Sequence, residues 1–444
     1  MEIKLPSHVQ NIISLLERGG FEAYAVGGCV RDSVLGRVPN DWDVTTSAKP
    51  HEVEKCLCGF KIIETGLKHG TVTVPTATGP VEITTYRIDG GYSDNRHPDS
   101  VRFTDDLKAD LSRRDFTVNA MAYGASRGIV DYFGGMDDIR RGVIRCVGEP
   151  EKRFNEDGLR VLRALRFSSV LGFSVEGGTS LQINACRELL GGIAHERVRD
   201  EFTKLLCGKN VFDVLQDYRE AIAVFIPEIR PCFGFAQNNP HHIYDVWGHI
   251  LKSVQSIEPD PLLRSTMFFH DIGKPLCYTE DAGGTGHFYG HAQRSAETAQ
   301  AVLKRLRYPR RFSETVTELV GLHGITVSPD EKAVKRRLNK TGEKIFRLLL
   351  KVKEADTKAK SPVCFNQLCT LEETEKTLDR VTGEKECFTQ KDLAVNGFDL
   401  MSAGFSEGKG IGDTLRSLLD AVIDGKCENT REELLKYAEK YKKQ

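Results

Sequence analysis

Tyr24-Ala-Val-Gly-Gly-Cys-Val-Arg-Asp32 is followed shortly by Asn40-Asp-Trp-Asp-Val44. Side chains alternate between faces along a strand, so Asp41 and Asp43 placed on one strand share a face. Two carboxylates on one face can hold two divalent ions. Short acid pairs also occur in turns; here the β-branched Val44-Thr45-Thr46 that follows favours a strand. The paired Gly27 and Gly28 remove side chains where a triphosphate has to approach the backbone closely. The combination implies nucleotidyl transfer, in which metals hold a nucleotide and a nucleic-acid hydroxyl attacks its α-phosphate.

Outward from this stretch, residues 5–19 carry apolar positions at helical spacing and end at Gly19-Gly20, which predicts an amphipathic helix. Residues 23–26, 41–45, 61–63, 71–74 and 81–86 read as strands and 30–35 as a short helix. Gly90–Ser100 is rich in turn residues and reads as a mobile loop. After Pro150 the pattern becomes helical, with Asn155 as candidate cap of a helix carrying Glu156-Asp-Gly-Leu-Arg-Val-Leu-Arg-Ala-Leu-Arg-Phe167. Hardly any strand signal follows. Breaks are expected at Gly191-Gly192, Pro240-His241-His242, Gly283-Gly284 and Ser361-Pro362. Gly408-Lys-Gly-Ile-Gly412 precedes a helix over 414–422 and could hold RNA phosphates or simply open the helix.

With 444 residues the chain has room for several domains of roughly 100–200 residues each. Hydrophobic residues make up 40% and charged ones 28%, the balance of an ordinary globular protein. No apolar run approaches the roughly 18 residues that span a bilayer, and Met-Glu-Ile-Lys-Leu-Pro lacks a signal-peptide pattern, so the chain reads as cytoplasmic with no membrane partner. The 12 cysteines form no Cys-x-x-Cys pair and read as thiols. A net charge of −1 excludes global attraction to a polyanion, so nucleic-acid binding would rest on local basic patches. Arg113-Arg114, the Arg160/Arg163/Arg166 series, Lys304–Arg311 and Lys335-Arg-Arg337 are the candidates. Lys440, Lys442 and Lys443 read as an RNA contact or a frayed tail, the tail being favoured.

Five stretches in order carry a resemblance: Val26-Gly-Gly-Cys-Val-Arg31, Asp41-Trp-Asp43, Glu82-Ile-Thr-Thr-Tyr-Arg87, Arg113-Arg-Asp-Phe-Thr-Val-Asn-Ala120 and Glu156-Asp-Gly-Leu-Arg160, with His195-Glu-Arg197 and Glu201 after them. The chain resembles the class II members of the tRNA nucleotidyltransferase/poly(A) polymerase family. The resemblance implies an α+β chain: a polymerase-β-like head with a mixed sheet (1–145), then an all-α neck and body (146–240), an HD metal-binding domain (241–360) and an RNA-binding tail (361–444). It implies Mg²⁺ at Asp41 and Asp43, with Glu82 or Asp115 as a candidate third acid. Gly28, Arg31 and Arg114 would meet the triphosphate. Asp157 and Arg160 would pair with the edge of CTP or ATP, with Arg163 and Arg166 supporting the base or reaching the phosphates. The partners implied are tRNA, CTP and ATP, and the reaction is addition of CCA to tRNA 3′ ends. The loop Tyr86–Asp99 resembles one found in members that add A as well as C.

The helical half carries a second set: Trp247-Gly-His249, Phe268-Phe-His-Asp-Ile-Gly-Lys274, His291, His323 and Glu354-Ala-Asp356. A lone histidine usually satisfies a local hydrogen bond. The set together resembles an HD metal-dependent phosphohydrolase module, which implies His249, His270, Asp271 and Asp356 as ligands, His291 and His323 as those of a second ion, and Lys274 near a phosphate. Imidazole with carboxylate suits several divalent transition metals or Mg²⁺. The competing readings are an adenylyltransferase adding only A or a poly(A) tract, an HD phosphohydrolase acting on RNA ends with a head that only binds nucleotide, and an RNA-binding protein without catalysis.

Overall fold

The computed structural model describes residues 2–92 and 98–442. Ser93–His97, in the expected mobile loop, and Lys443 lie outside the described residues. The chain forms two compact units, Met1–Arg230 and Pro231–Gln444.

The first unit opens with α1 (Ser7–Arg18), whose buried Val9, Ile12, Ile13 and Leu16 follow the 3.6-residue period. Strands β1 (Ala23–Val26), β2 (Trp42–Thr46), β3 (Ile63–Gly66), β4 (Thr71–Thr76) and β5 (Gly79–Thr85) come next. A two-stranded ribbon of β6 (Arg87–Asp89) and β7 (Val101–Phe103) stands apart, and β8 (Met121–Gly124) and β9 (Gly128–Asp131) complete the main sheet. Its order is β3-β4-β5-β2-β1-β8-β9. The sheet is mixed: β2 runs parallel to β5 and antiparallel to β1. Both neighbours of β2 are therefore paired, so its side chains are held by backbone ladders on either side.

Helix α2 (Gly28–Val34) starts where β1 ends, after Gly27 at φ +83°. Helices α3 (Pro50–Cys56), α4 (Leu107–Ser112) and α5 (Gly135–Arg141) follow. The expected helix capped by Asn155 is instead two. Helix α6 (Pro150–Glu156) begins at proline, which suits the first helical turn, and Asn155 lies inside it, donating to Glu151 O. Asp157 is extended, and α7 (Leu159–Leu171) starts after Gly158. Leu159, Leu162 and Leu165 bury one face of α7.

In the second unit the helices Val246–Gln255 and Pro261–Phe269 are capped by Asp245 and Asp260. Helices His291–Arg305, Arg310–Leu322, Glu331–Lys358 and Asn366–Gly383 follow. Glu331–Lys358 is interrupted at Gly342, where φ is +74°. A short hairpin, Thr279–Glu280 with Gly286–His287, departs from the all-α expectation. One apolar cluster runs from Leu319 to Val381, across the expected boundary at 360, because Asn366–Gly383 packs on Glu331–Lys358. A separate cluster joins Leu393 to Ala438. The last helices include Lys409–Ile423, so Lys409 to Gly412 form its first turn rather than a loop before it. Among the described residues no helix is long and apolar enough to cross a membrane.

Candidate functional site

Asp43 lies on the central strand β2, opposite Val26 on β1 and Glu82 on β5. Facing positions in register point to the same side, which puts the Glu82 and Asp43 carboxylates on one face. Asp41 sits one residue before the strand and is exposed. Its charge still acts on Asp43: burial, followed by the Glu82 and Asp41 charges, pushes the Asp43 pKa up to about 6 against the opposing pull of Arg114. Asp41, Asp43 and Glu82 thus act on one another electrostatically, although among the described residues they are not one of the groups drawn close enough to hold a metal ion as they stand.

The folded state therefore favours the protonated form of Asp43. Its ionisation costs stability progressively as pH rises from about 3.8 to about 6 and fully above that. A bound divalent ion removes this cost. Adding Mg²⁺ is expected to raise the unfolding temperature clearly at pH 8 and hardly at all at pH 5; equal shifts at both, measured by calorimetry, would show that Asp43 is not the group being neutralised.

Arg114 closes the other side. A Cβ placed on Gly27 would stand 2.9 Å from Arg114 Nη1, so the glycine makes room for the guanidinium. Arg114 Nε is buried without a hydrogen bond, and the nearest acid, Asp110 Oδ2, is 3.9 Å from Nη2. Asp110 was not singled out from the sequence. It is fully buried, accepts from Arg113 Nη2 (2.8 Å) and Thr45 Oγ1 (3.0 Å), and so ties α4 to β2. Its spacing of three and four from Arg113 and Arg114 on a helical turn was the available signal.

The remaining candidates gather on α2 and α7, each already bound. Arg31 donates to both Asp32 oxygens (2.9 and 3.0 Å) and to Asn119 Oδ1 (2.6 Å). Asp115, 8% exposed, accepts from Asn119 Nδ2 (3.1 Å) and Arg163 (2.5 and 2.9 Å). Burial opposes its ionisation, but Arg163 and Asn119 hold its pKa well below the usual carboxylate range. Of the two candidate third acids, Glu82 faces Asp43 in register and Asp115 is consumed by Arg163. Arg166 donates to Glu201 Oε2 (2.7 Å) and lies over the Phe167 ring, 3.6 Å from its centroid. Arg160 donates to Glu156 Oε2 (2.8 Å), Arg153 O and Arg113 O. Asp157 accepts from Leu159 N (3.1 Å) and from Arg197 (2.9 and 3.4 Å). Of His195-Glu-Arg197 and Glu201, Arg197 and Glu201 thus serve as counter-charges to the turn before α7 and to α7 itself. Phe167, between Arg31, Arg163 and Arg166, was not foreseen; an aromatic residue on an arginine-rich helix was its only trace.

The second unit assembles the other set. Asp271 is 2% exposed and lies at the centre. Its Oδ2 is 3.1 Å from His249 Nε2, 3.3 Å from His270 Nε2 and 2.7 Å from Lys274 Nζ. Its Oδ1 is 3.3 Å from His291 Nε2 and 3.4 Å from His323 Nε2. Asp356 Oδ1 joins the first group, 3.1 Å from His249 Nε2. Every imidazole faces a backbone carbonyl with Nδ1: His249 Ala359, His270 Met267, His291 Phe288 and His323 Val320. A Nδ1–H bonded in this way leaves the Nε2 lone pair facing inward, the tautomer a metal ligand needs. The Nε2 atoms then meet in pairs, His249 with His270 and His291 with His323, each at 3.2 Å. Two lone pairs at that distance repel unless a cation or proton lies between them. Asp271 Oδ1 is buried with no hydrogen bond. The residues therefore fit divalent cations, which His249, His270 and Asp271 on one side and Asp271, His291 and His323 on the other would hold. Burial opposes ionisation of Asp271, yet His270 and Lys274 hold its pKa well below the usual range.

A cavity of about 560 Å³ opens on the Asp271, His291 and His323 side. Lys353 and Lys360 line it. Lys353, pushed down to about 8 by burial, donates to the carbonyls of His323 (3.0 Å) and Ile325 (2.6 Å) and so fixes the turn carrying His323.

A mixed sheet presenting paired carboxylates beside a glycine turn defines a nucleotidyltransferase head. Residues 23–145 match the family model described as poly A polymerase head domain, residues 172–232 that for an RNA and SrmB-binding site of polymerase A, and residues 287–438 that for tRNA nucleotidyltransferase domain 2. The chain is similar to the solved CCA-adding enzyme of Bacillus stearothermophilus in complex with CTP, at 30% identity and a TM-score of 0.73, covering 99% of this chain and 98% of that one. It belongs to the tRNA nucleotidyltransferase/poly(A) polymerase family. It is also 48% identical over 220 residues to the CCA-adding enzyme of Lactobacillus delbrueckii, covering 50% of this chain and 54% of that protein. The corresponding Lactobacillus helveticus protein is 47% identical over 215 residues, covering 48% and 52%. The chain thus spans about half the length of the curated relatives it matches.

Proposed function

We propose that the chain adds C, C and A to the 3′ end of immature tRNA, using CTP and ATP and releasing pyrophosphate. The observation that carries this reading is the register of Asp43 with Glu82 beside the Gly27 turn and the underused Arg114 guanidinium. It is supported by 30% identity, over nearly the whole length, to an enzyme solved with CTP. Asp41 and Asp43, with Glu82 alongside, would hold Mg²⁺. When bound, Mg²⁺ supplies charge neutralisation at the α-phosphate and lowers the pKa of the attacking hydroxyl. Arg114 and the Gly28 N–H meet the triphosphate, and water is displaced from the Gly27 turn as it enters.

Asp157 and Arg160 choose the base. Arg160 has five donor hydrogens, of which three are used, and Asp157 keeps one free lone pair. Cytosine and adenine both offer an exocyclic amine next to a ring nitrogen acceptor. One free acceptor beside free donors complements that pattern and opposes uracil and guanine, whose edges reverse it. Arg163 and Arg166, held by Asp115 and Glu201, brace α7 and are not free to reach phosphates. Asp157→Ala is expected to reduce discrimination of CTP and ATP over UTP and GTP by at least about tenfold, one good pair being worth about 1–3 kcal/mol, with Mg²⁺ dependence unchanged. The reading as a whole is tested with tRNAs ending before the first C, the second C and the final A, each with labelled nucleotides. Completed CCA supports it; a single A or a long A tract supports the adenylyltransferase alternative instead.

A second activity is favoured by the orphaned Asp271 Oδ1. His249, His270, Asp271, Asp356, His291 and His323 would hold divalent ions, which when bound polarise a phosphoryl group and acidify a water. Phosphoester hydrolysis there forms a bond from the water oxygen to phosphorus, breaks the ester P–O bond and delivers a proton to the departing oxygen. Lys274 and Lys360 supply positive charge toward the phosphate. Turnover of a 2′,3′-cyclic nucleotide with Mn²⁺ or Ni²⁺ supports this; no turnover with any metal leaves the cluster a structural brace.

A further inference from the structure

We infer that Tyr289, backed by His287, is a stacking platform on which the cavity beside Asp271 seats the base of a nucleoside phosphate. The inference rests on the phosphoester reading of that cavity and adds its substrate class. Tyr289 lines the cavity yet is 77% exposed, an unusual state for a large aromatic side chain that packs against nothing on its outer face. Its ring is stacked on His287, centroids 5.4 Å apart and planes within 10°. His287 is in turn fixed through Nε2 to Asp281 Oδ2 (2.9 Å), on the hairpin that pairs Gly286–His287 with Thr279–Glu280. A pre-stacked, anchored aromatic pair with one face open has already lost the rotamer freedom that binding would otherwise cost. Every nucleobase has a π-face that such a ring can receive.

The same cavity is also lined by charged groups. Lys353, Lys360 and the Asp271, His291 and His323 group face the same space, so a ligand spanning it would be anionic and metal-seeking at one end and flat and apolar at the other. The volume, about 560 Å³, falls within the range of small-ligand sites. A nucleoside carrying a terminal phosphate has this polarity; a bare phosphoester leaves the aromatic end empty.

The test is calorimetric titration of the full chain loaded with Mn²⁺. The probes are adenosine 3′-monophosphate, ribose 5-phosphate and a short oligoribonucleotide ending in a 3′-phosphate. Wild type is expected to bind the adenosine compound at least about tenfold more tightly than ribose phosphate. Tyr289→Ala is expected to bring the two within about twofold, and Tyr289→Phe to keep the preference. Because Tyr289 is exposed, the variants are expected to unfold at the wild-type temperature. A preference for the adenosine compound that survives in Tyr289→Ala overturns the platform alone. Absence of Mn²⁺-dependent binding of either phosphate by wild type overturns the phosphoester reading and this inference with it. Tighter binding of the oligoribonucleotide assigns the platform to RNA ends, and weaker binding assigns it to free nucleotides.

Discussion

Asp43→Ala is expected to lower single-turnover nucleotide incorporation by about 10³-fold or more. Charge neutralisation at a transferring phosphoryl group contributes several kcal/mol, and each 1.4 kcal/mol is about tenfold in rate. Asp43 is the member of the acid group with the fewest alternatives. It sits on the central strand with both neighbours paired, so no loop movement can bring another carboxylate to its place. Asp41, on the exposed residue before the strand, can adjust. Asp43→Asn separates chemistry from folding. It removes a charge whose ionisation is disfavoured in the fold, so at pH 8 this variant is expected to be as stable as wild type or more stable while losing incorporation to a similar degree. Incorporation by both variants within tenfold of wild type would remove the acid pair from the reaction.

Asp271→Ala is expected to abolish the divalent-ion binding proposed for the second unit and to destabilise that unit by about 3–5 kcal/mol, the usual cost of removing one partner from a buried ion pair. Asp271 is the shared member of both candidate metal groups. Without it Lys274, 4% exposed, is left with the neutral partners Gln237 Oε1 at 2.8 Å and His242 Nε2 at 3.5 Å. Metal content after gel filtration in Mn²⁺ is the first measurement and calorimetric unfolding the second. The head unit serves as an internal control, since its own Mg²⁺ response should persist. Metal content unchanged in the variant would show that Asp271 is not a ligand shared by the two groups.

The head was legible because its signals are local. Period-two alternation and two glycines place Asp43 and the phosphate turn within twenty residues of sequence. The helical boundaries were less so: Asn155 resembled a cap, but Pro150 starts its helix earlier and the helix ends at Glu156, while the next one opens at Leu159 after Gly158, where Asp157 Oδ1 accepts from Leu159 N. The arginines are ambiguous in the sequence for a different reason. Their stride of three along α7 reads equally well as a ligand-facing row or as a braced face. Which it is depends on Asp115 and Glu201, which lie 48 and 35 residues away in the chain. Arg31 reads as a phosphate fork in the sequence, and only the structure shows that Asn119, 88 residues on, holds one of its arms.

The six histidines and acids of the second unit show the same division. Their types and order were readable; His249 lies in the first turn of a helix capped by Asp245, His291 opens a helix after Gly290, and His270, His323 and Asp356 sit at or near helix C-termini. That four Nδ1–H groups are tied to backbone carbonyls, that Asp271 divides its oxygens between two groups, and that Tyr289 rests on His287 at a cavity mouth are properties of the closed chain. Sequence alone set the period of each element and the identity of the charged groups, because sterics and hydrogen bonds within one turn or one strand act over a few residues. The tertiary structure decided which charges are spent on one another and which remain for a ligand, because an ion pair between distant segments exists only after the intervening chain has been ordered and its entropy cost met by burial.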